Sequence, residues 1–236
     1  MKKISAVIAA AGLGTRLKDY KDNSHTKVLI KIRQSSMISE QISQLSGWGI
    51  ERFVIIANPE FYSLIKDDID VNHADKDINY AIQEKPLGIA HALLQSKDLI
   101  ENNSKILFIL GDNFFGENPI IDLDISKINN SVLFLKEVNN PQEFGVAQVE
   151  GEKIINIVEK PTDPTSNLAV VGIYLYDYNC FELISKLEFS KRGELEITDL
   201  NNLLIQKNSV DYKILKSWWI DAGTEDRIEN LKKIIQ

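Results

Sequence analysis

Four short runs of apolar residues constrain the fold of this chain more than any other feature. They occupy residues 4–10, 53–57, 78–82 and 106–110. Continuous apolar runs of this length are typical of strands that are buried on both faces of a sheet. Amphipathic stretches separate the runs, at residues 36–46, 61–69 and 89–99. Strands that alternate with helices at this spacing predict a parallel sheet with crossover helices.

The pattern changes after residue 130, where short strands follow one another closely. The apolar segments of this half lie at residues 132–138, 146–149, 154–158, 170–176, 212–215 and 218–220. Helices are predicted at residues 179–187, 197–206 and 225–235. Turn residues between the first of these strands favour a mixed or antiparallel extension. We therefore predict one α/β domain with a mixed, mostly parallel central sheet flanked by helices.

Composition excludes several classes of function. The net charge is −7 and no long basic run offsets it, so nucleic-acid binding is not expected. The single cysteine, Cys180, rules out an internal disulfide and a cysteine-based zinc cluster. No apolar stretch approaches the roughly 20 residues of a membrane helix, and the short N-terminal run lacks the features of a signal peptide. We expect a cytoplasmic protein that does not contact membranes.

The loop after the first predicted strand carries two glycines and several cations. Only Leu13 separates Gly12 from Gly14, so the loop fits neither the dinucleotide fingerprint nor the P-loop. The glycines nevertheless allow backbone N–H groups to approach a phosphate, and Arg16 and Lys27 could add charge. A glycine-rich turn with solvated basic residues explains the loop equally well.

Two aspartates follow predicted strands. Asp112 lies in LGDNFFG and Asp221 in WIDAGT. Ligands bind beyond the carboxyl ends of strands in open parallel sheets, and Mg²⁺ prefers one or two carboxylates together with phosphate oxygens and water. The alternatives are a Gly-Asp-Asn turn at Asp112 and a helix cap at Asp221, although Thr224 is better placed for capping.

Two further charged segments have ordinary structural explanations when each is considered alone. Glu159 and Lys160 precede a rigid proline turn in VEKPTDP, where a solvated ion pair is common. The segment RGELEITD, which begins at Arg192, resembles a charged helix start. No Ser, His or Cys constellation for nucleophilic catalysis is present, and we predict that His25, His73 and His91 are not catalytic.

Taken together, these segments resemble the sugar-phosphate nucleotidyltransferase family, and within it the glucose-1-phosphate thymidylyltransferases, over nearly the whole chain. The matching segments are GLGTRL, QEKPLGIAHAL, LGDNFFG, EFGVAQV, EKPTDPTSNLAVVGIYLYD, RGELEITDLN and WIDAGT. The resemblance implies a single Rossmann-like domain of the nucleotide-diphospho-sugar transferase type over residues 1–236. Residues 1–130 would mainly bind nucleotide and residues 131–236 mainly sugar phosphate.

The resemblance also implies roles for individual residues. The nucleotide would be bound by Ala10, Ala11, Gly12, Gly14, Thr15, Arg16, Gln83, Pro86, Gly88 and Asp112, with Gln83 and Gly88 reading the pyrimidine base. The sugar 1-phosphate would be bound by Gly145, Glu159, Lys160, Gly172, Tyr174 and Arg192. The catalytic residues would be Arg16, Lys27, Asp112 and Asp221, of which Asp112 and Asp221 would hold Mg²⁺.

The implied reaction joins a nucleoside triphosphate, with dTTP or UTP favoured, to a glucose-1-phosphate-like sugar 1-phosphate and releases pyrophosphate. Two alternatives remain open: a CTP-dependent enzyme acting on another phosphorylated acceptor, such as a phospho-amine or phospho-acid, and a non-catalytic sugar-nucleotide-binding protein. The family usually has prolines near the downstream lysine, whereas this chain reads KVLIKI, so Lys21 competes with Lys27 for that role. A homodimer is also compatible with the sequence.

Overall fold

The four apolar runs of the first half form adjacent strands of one sheet. The computed structural model describes residues 4–12, 14, 17 and 26–235. Its strands are β1 Ile4–Ala9, β2 Arg52–Ala57, β3 Asp77–Ile82, β4 Lys105–Leu110, β5 Asn113–Phe115, β6 Ser131–Glu137, β7 Gly145–Glu150, β8 Lys153–Glu159, β9 Leu168–Asp177, β10 Val210–Ile214 and β11 Trp219–Asp221. Its helices are α1 Met37–Gly47, α2 Tyr62–His73, α3 Ile89–Gln95, α4 Cys180–Ile184, α5 Ile197–Gln206 and α6 Glu225–Ile234.

The main sheet has the strand order β10-β6-β9-β4-β1-β2-β3. In this path β9 runs antiparallel to both of its neighbours, and every other neighbouring pair is parallel. The hairpin of β7 and β8 attaches to β9, while β5 and β11 form a separate two-stranded antiparallel sheet. The predicted single α/β fold with a mixed, mostly parallel sheet is confirmed.

Both faces of the main sheet are buried, which explains why its central strands are continuously apolar. In β1 the side chain of Val7 packs into one hydrophobic cluster, while Ala6 and Ile8 pack into the cluster on the opposite face. All three side chains are completely buried. On the second face α1 contributes Ile38 and Ile42, and its first turn is capped because Ser36 Oγ accepts the Ser39 N–H at 3.1 Å.

Several predicted boundaries differ from the structure. The helix predicted at 89–99 is α3 followed by a separate 3₁₀ turn, because the Ser96 hydroxyl donates to the Leu93 carbonyl at 2.7 Å and the chain tightens there. The helix predicted at 179–187 is shortened to α4. Strand β5 was not predicted. The longest helix of the described residues, α2, has 12 residues, so no helix among them is long enough to cross a membrane.

The register of the sheet brings four chain segments to one edge. The Gly111 N–H donates to the Ala9 carbonyl at 3.0 Å, so the loops after β1 and β4 leave the sheet side by side. The Gln83 N–H donates to the Ala57 carbonyl at 2.8 Å and places Gln83 at the same edge. Because β9 is antiparallel to β4, with Ile173 opposite Ile109, the first half of β9 also reaches this edge.

Gly172 in β9 offers a test of how tightly this edge is packed. A Cβ added at Gly172 would lie 2.5 Å from the Asn113 side-chain oxygen, so Gly172→Ala must displace Asn113. We expect Gly172→Ala to lower the free energy of unfolding by about 1–3 kcal/mol, as overpacking typically does. Urea unfolding monitored by circular dichroism measures the change.

The matched control is Gly47→Ala at the end of α1, where an added Cβ meets nothing within 4 Å. Alanine is a better helix former than glycine, so this variant should be as stable as the wild type or slightly more stable. Equal stability of Gly172→Ala and Gly47→Ala would contradict the packing described for β9.

Candidate active site

Two cavities lie side by side at the edge where the loops leave the sheet. The larger has a volume of about 380 Å³ and the smaller about 260 Å³. Residues that line both cavities are Lys27, Ile89, Leu110, Asp112 and Glu194. The two spaces therefore meet at a boundary that contains one lysine and one aspartate of the predicted site.

The smaller cavity is lined by most of the predicted nucleotide-binding residues. They are Ala11, Gly12, Gln83, Pro86, Gly88 and Asp112. Ala10 is buried just beyond β1, where its N–H donates to the Ile56 carbonyl, and Gly14 lines the larger cavity instead. Thr15 and Arg16 lie outside the described residues, as does the competing Lys21.

The larger cavity is lined by every residue predicted to bind the sugar 1-phosphate. These residues are Gly145, Glu159, Lys160, Gly172, Tyr174 and Arg192. Asp221, predicted as a metal ligand, lines the same cavity. Burial, with Glu159 and Asp112 nearby, raises the pKa of Tyr174, so its hydroxyl stays protonated and can donate a hydrogen bond.

Lys27 and Asp112 form an ion pair at the boundary between the cavities. Lys27 belongs to the 3₁₀ turn Lys27–Leu29, and its ammonium contacts Asp112 Oδ2. The side chains are only 19% and 16% exposed, respectively. Burial alone would raise the pKa of Asp112, but the Lys27 ammonium and hydrogen bonds from Lys27 and Asn113 hold that pKa below its usual value. Asp112 is therefore a largely buried, ionised carboxylate beside a cation.

Asn113, which sequence reasoning did not single out, anchors Asp112. Its Nδ2 donates to Asp112 Oδ1 at 2.7 Å. Its Oδ1 accepts hydrogen bonds from the Gly172 N–H at 3.1 Å and from Trp219 Nε1 at 2.7 Å. Because these donors belong to β9 and β11, one buried amide joins three strands and restricts the orientation of the carboxylate.

Asp221 reaches the site through the pairing of β5 with β11. It lies opposite Asn113 in that small sheet, and the next residue, Ala222, donates its N–H to the Asp112 carbonyl at 2.8 Å. Arg227 Nη1 lies 3.5 Å from Asp221 Oδ2. Thr224 immediately precedes α6, at the N-cap position expected for it, but its side chain makes no capping hydrogen bond. The backbone thus places Asp221, at the end of β11, beside the turn before β5 that carries Asp112, so the two predicted metal ligands lie on adjacent segments.

Arg192 lines the larger cavity within a group of carboxylates. Its guanidinium binds both carboxylate oxygens of Glu196, at 3.1 and 2.7 Å, and lies 4.0 Å from Glu159. The Glu196 hydrogen bonds raise the pKa of Arg192 despite partial burial. Glu159 accepts a hydrogen bond from Thr198 Oγ1 at 2.7 Å and lies 3.7 Å from Lys160 Nζ.

An aromatic pair forms part of the larger cavity and was not predicted from the sequence. The rings of Phe144 and Trp219 are 5.0 Å apart, and the Arg227 guanidinium stands 5.5 Å from the Phe144 ring. Arg227 also binds Glu143 at 2.5 Å. These contacts join the start of β7, β11 and α6, so no local sequence pattern could have shown them.

The larger cavity carries more acidic than basic side chains among the described residues. Its carboxylates are Asp112, Glu143, Glu159, Glu194, Glu196 and Asp221, and its cations are Lys27, Lys160 and Arg192. Within residues 4–12, 14, 17 and 26–235, no three His, Cys, Asp or Glu side chains are arranged to hold a metal by themselves. A pair of carboxylates suits Mg²⁺, which takes its remaining ligands from substrate phosphates and water.

Gly88 holds the wall between the two cavities. Its φ of +104° favours glycine, and an added Cβ would lie 2.5 Å from the Leu195 carbonyl oxygen. This wall consists of residues 87–90 and Leu195, which two backbone hydrogen bonds join. The Leu195 N–H donates to the Leu87 carbonyl at 2.7 Å, and the Ala90 N–H donates to the Leu195 carbonyl at 3.1 Å. The segment before α3 and the segment that carries Arg192 therefore form one continuous structure.

The role of Asn113 is tested by Asn113→Asp, which keeps the shape and the Oδ1 acceptor but replaces the Nδ2 donor with an oxygen facing Asp112. Two carboxylates in contact cannot both ionise readily, so one pKa of the pair should rise above its unfolded value. Stability linked to such a raised pKa is present at low pH and is lost as the pH rises through the raised value.

We therefore expect Asn113→Asp to be less stable than the wild type by about 1–3 kcal/mol, with a larger deficit near pH 8 than near pH 5. Urea unfolding at both pH values provides the measurement. The exposed Asn103→Asp serves as the control and should show little change. A deficit that is independent of pH would contradict the proposed contact with Asp112.

Comparison with known proteins assigns the chain to a family. The nucleotidyl transferase family model matches residues 5–236. The low-salt glycan biosynthesis nucleotidyltransferase Agl11 of Haloferax volcanii is 31% identical, over 98% of this chain and 66% of its own length. This chain therefore spans just under two thirds of Agl11. A glucose-1-phosphate thymidylyltransferase of Neisseria meningitidis is 32% identical, over 99% of this chain and 83% of its own length.

Solved structures agree with this assignment. A crystal structure from Bacillus anthracis, provisionally assigned as a glucose-1-phosphate thymidylyltransferase and complexed with a sucrose, has a TM-score of 0.89 and 33% identity, covering 98% of this chain and 94% of its own. A UDP-glucose pyrophosphorylase complexed with UDP-glucose has a TM-score of 0.84 at 23% identity and shares the fold. The family match over residues 5–236 confirms the resemblance seen in the sequence: the protein belongs to the nucleotidyl transferase family.

Proposed function

We propose that this protein is a Mg²⁺-dependent nucleotidyltransferase that condenses dTTP or UTP with a glucose-1-phosphate-like sugar 1-phosphate. The products are a nucleoside diphosphate sugar and pyrophosphate. The relatives named glucose-1-phosphate thymidylyltransferases support this choice of substrates. In keeping with a small-molecule role, we further propose a cytoplasmic location.

The observation that carries this proposal is the meeting of two cavities at Lys27 and Asp112. A reaction between two phosphorylated substrates needs two adjacent binding spaces with the reacting phosphates at their boundary. The smaller cavity, with Gln83 and Gly88, would take the nucleoside, and the larger, with Lys160 and Arg192, would take the sugar phosphate. When both reactants are held in this arrangement, the reaction between them becomes effectively unimolecular, which lowers its activation free energy.

In the proposed reaction an oxygen of the sugar 1-phosphate attacks the α-phosphorus of the triphosphate. A new P–O bond forms as the bond between the α-phosphorus and the bridging oxygen of the leaving pyrophosphate breaks. The second pKa of a phosphate monoester is about 6, so the attacking oxygen is already ionised at neutral pH. No general base is required. Lys27 would stabilise the charge that develops on the phosphates, and Lys160 and Arg192 would orient the acceptor.

Asp112 and Asp221 would hold the Mg²⁺ ion. Bound there, Mg²⁺ would supply positive charge to triphosphate oxygens in a cavity whose described side chains are mainly acidic. The fit rests on the chemistry of the donors: Asp221 on β11 and Asp112 in the turn before the paired β5, of which Asp112 is largely buried and held ionised. Asn113 would keep the Asp112 carboxylate in a fixed orientation toward that ion.

The acid-rich larger cavity favours one second candidate. Its carboxylates and the Phe144 and Trp219 rings would suit an acceptor that carries an amine besides its phosphate. Such an acceptor belongs to the CTP-dependent alternative. The choice between the two candidates depends on the nucleotide and the acceptor that support turnover.

A substrate screen separates these candidates. Pyrophosphate release would be measured with dTTP, UTP, CTP, ATP and GTP, each combined with several hexose 1-phosphates and with an amino-alcohol phosphate. We expect the highest kcat/KM for dTTP or UTP with a hexose 1-phosphate. Preference for CTP with the amino-alcohol phosphate would instead support the second candidate. Absence of turnover with both dTTP and UTP would refute the proposed base preference.

Asp112→Asn tests the catalytic assignment and the non-catalytic alternative together. The substitution keeps the side-chain shape but removes the charge that would hold Mg²⁺, so we expect turnover to fall by at least about 100-fold. Circular dichroism should show a folded protein. The control is Asp75→Asn, whose side chain is 74% exposed and remote from the cavities, and it should keep full turnover. Undiminished activity of Asp112→Asn would remove Asp112 from the catalytic site.

A further inference from the structure

We propose that His91 fixes the side-chain amide of Gln83 so that this amide can meet a bound base only through its carbonyl oxygen. His91 would then be a positioning residue that favours uracil-type bases over cytosine. The inference rests on the proposed function, in which Gln83 reads the base.

The orientation of the Gln83 amide follows from its neighbours. The side-chain Nε2 lies 3.1 Å from the Gly88 carbonyl oxygen and 3.0 Å from His91 Nδ1. A carbonyl oxygen can only accept a hydrogen bond, so the group that faces Gly88 must be the amide nitrogen rather than the amide oxygen. Gln83 is 6% exposed and lines the smaller cavity. Little room is available for other rotamers.

The same contacts assign the state of the His91 ring. The Gln83 amide nitrogen is a donor, and its contact with Nδ1, at 3.0 Å, is the shorter of the two side-chain contacts of the ring. We therefore assign Nδ1 as the acceptor in a neutral ring that carries its proton on Nε2. Burial lowers the pKa of His91, which favours this neutral form. Gln95 Nε2, one turn further along the helical segment, lies 3.3 Å from His91 Nε2 and donates to the His91 backbone carbonyl at 3.0 Å. It is therefore also a donor, and its longer contact with the protonated Nε2 is not a hydrogen bond. The shorter contact, from Gln83 Nε2 to Nδ1 at 3.0 Å, is then the one side-chain hydrogen bond to the ring among the described residues.

One group of the Gln83 amide remains for a ligand. Its two hydrogens point to Gly88 and His91, and its oxygen has no hydrogen-bond donor among the described residues. Thymine and uracil carry a hydrogen on ring N3 that this oxygen can accept. Cytosine has an unprotonated N3 and can donate only from its exocyclic amine, one ring position away.

The preference for uracil-type bases over cytosine depends on His91, because His91 keeps the Gln83 amide in this orientation. Without an acceptor at Nδ1, the amide could turn over and present its NH₂ group to the unprotonated N3 of cytosine. The contact with Gly88 alone would oppose that rotation. Loss of the His91 acceptor should therefore change the choice of base more than the strength of binding.

Two substitutions test the proposal. His91→Leu keeps comparable bulk but removes the acceptor, whereas His91→Asn places an amide oxygen where Nδ1 stood and should restore the contact. For each variant, kcat/KM would be measured with dTTP, UTP and CTP, and the affinities for dTDP, UDP and CDP would be measured by calorimetry.

We expect His91→Leu to lower the preference for uracil-type over cytosine nucleotides by about tenfold in both assays, the effect of one hydrogen bond. His91→Asn should stay within about threefold of the wild-type ratio. A purely structural role for His91 would weaken all nucleotides equally and leave the ratio unchanged, and that result would overturn the proposal.

The two assays also separate this proposal from the proposed function. If the wild type binds pyrimidine nucleotides without turnover, the catalytic proposal fails, and the binding ratios of the variants still decide the role of His91. If turnover occurs and the ratio does not respond to His91→Leu, only the role of His91 is refuted. A wild type that binds no pyrimidine nucleotide refutes both.

Discussion

The parallel pairing of β1 with β4 determines where every group of the candidate site can lie. Ala9 stands opposite Leu110 at the end of this pair, and the Gly111 N–H extends the ladder by one more hydrogen bond to the Ala9 carbonyl. The glycine loop and Asp112 therefore leave the sheet at one point. Strand β9 then pairs with β4 on its other side and brings Gly172 against the residue that follows Asp112. A slip of this register would separate the two cavities from their common boundary.

The fold was largely predictable because the relevant signal is local. Each central strand is buried on both faces, as Ala6, Val7 and Ile8 show, so its apolar run is visible in a few consecutive residues. Grouping Gly12, Lys27 and Asp112 at one edge also followed from a general rule, since parallel strands end together. The structure places all three along the smaller cavity. Their functional roles remain predictions that come from the family resemblance.

Contacts between distant segments could not be predicted in this way. Strand β5 exists because it pairs with β11 much later in the chain, and a three-residue strand has no periodicity to recognise. The hydrogen bond between Trp219 and Asn113 and the contact of Arg227 with the Phe144 ring also join residues far apart in the sequence, so no local pattern indicates them. The proximity of His91 to Gln83 depends on how α3 packs after β3, which no local pattern in the sequence shows. Helix ends were misjudged where a side chain such as Ser96 competes for a backbone carbonyl.

The shared wall at Gly88 has a thermodynamic consequence. Because Leu195 is hydrogen-bonded both to Leu87 and to Ala90, the two sides of the wall are mechanically linked, and a restriction of one side would also restrict the other. In the proposed function, the conformational entropy that the first substrate would lose on settling against this wall would not be lost again when the second arrived. The two substrates would then strengthen each other's binding without touching, and by linkage the enhancement must be equal in both directions. The absence of one methyl group at Gly88 is what allows the wall to be continuous.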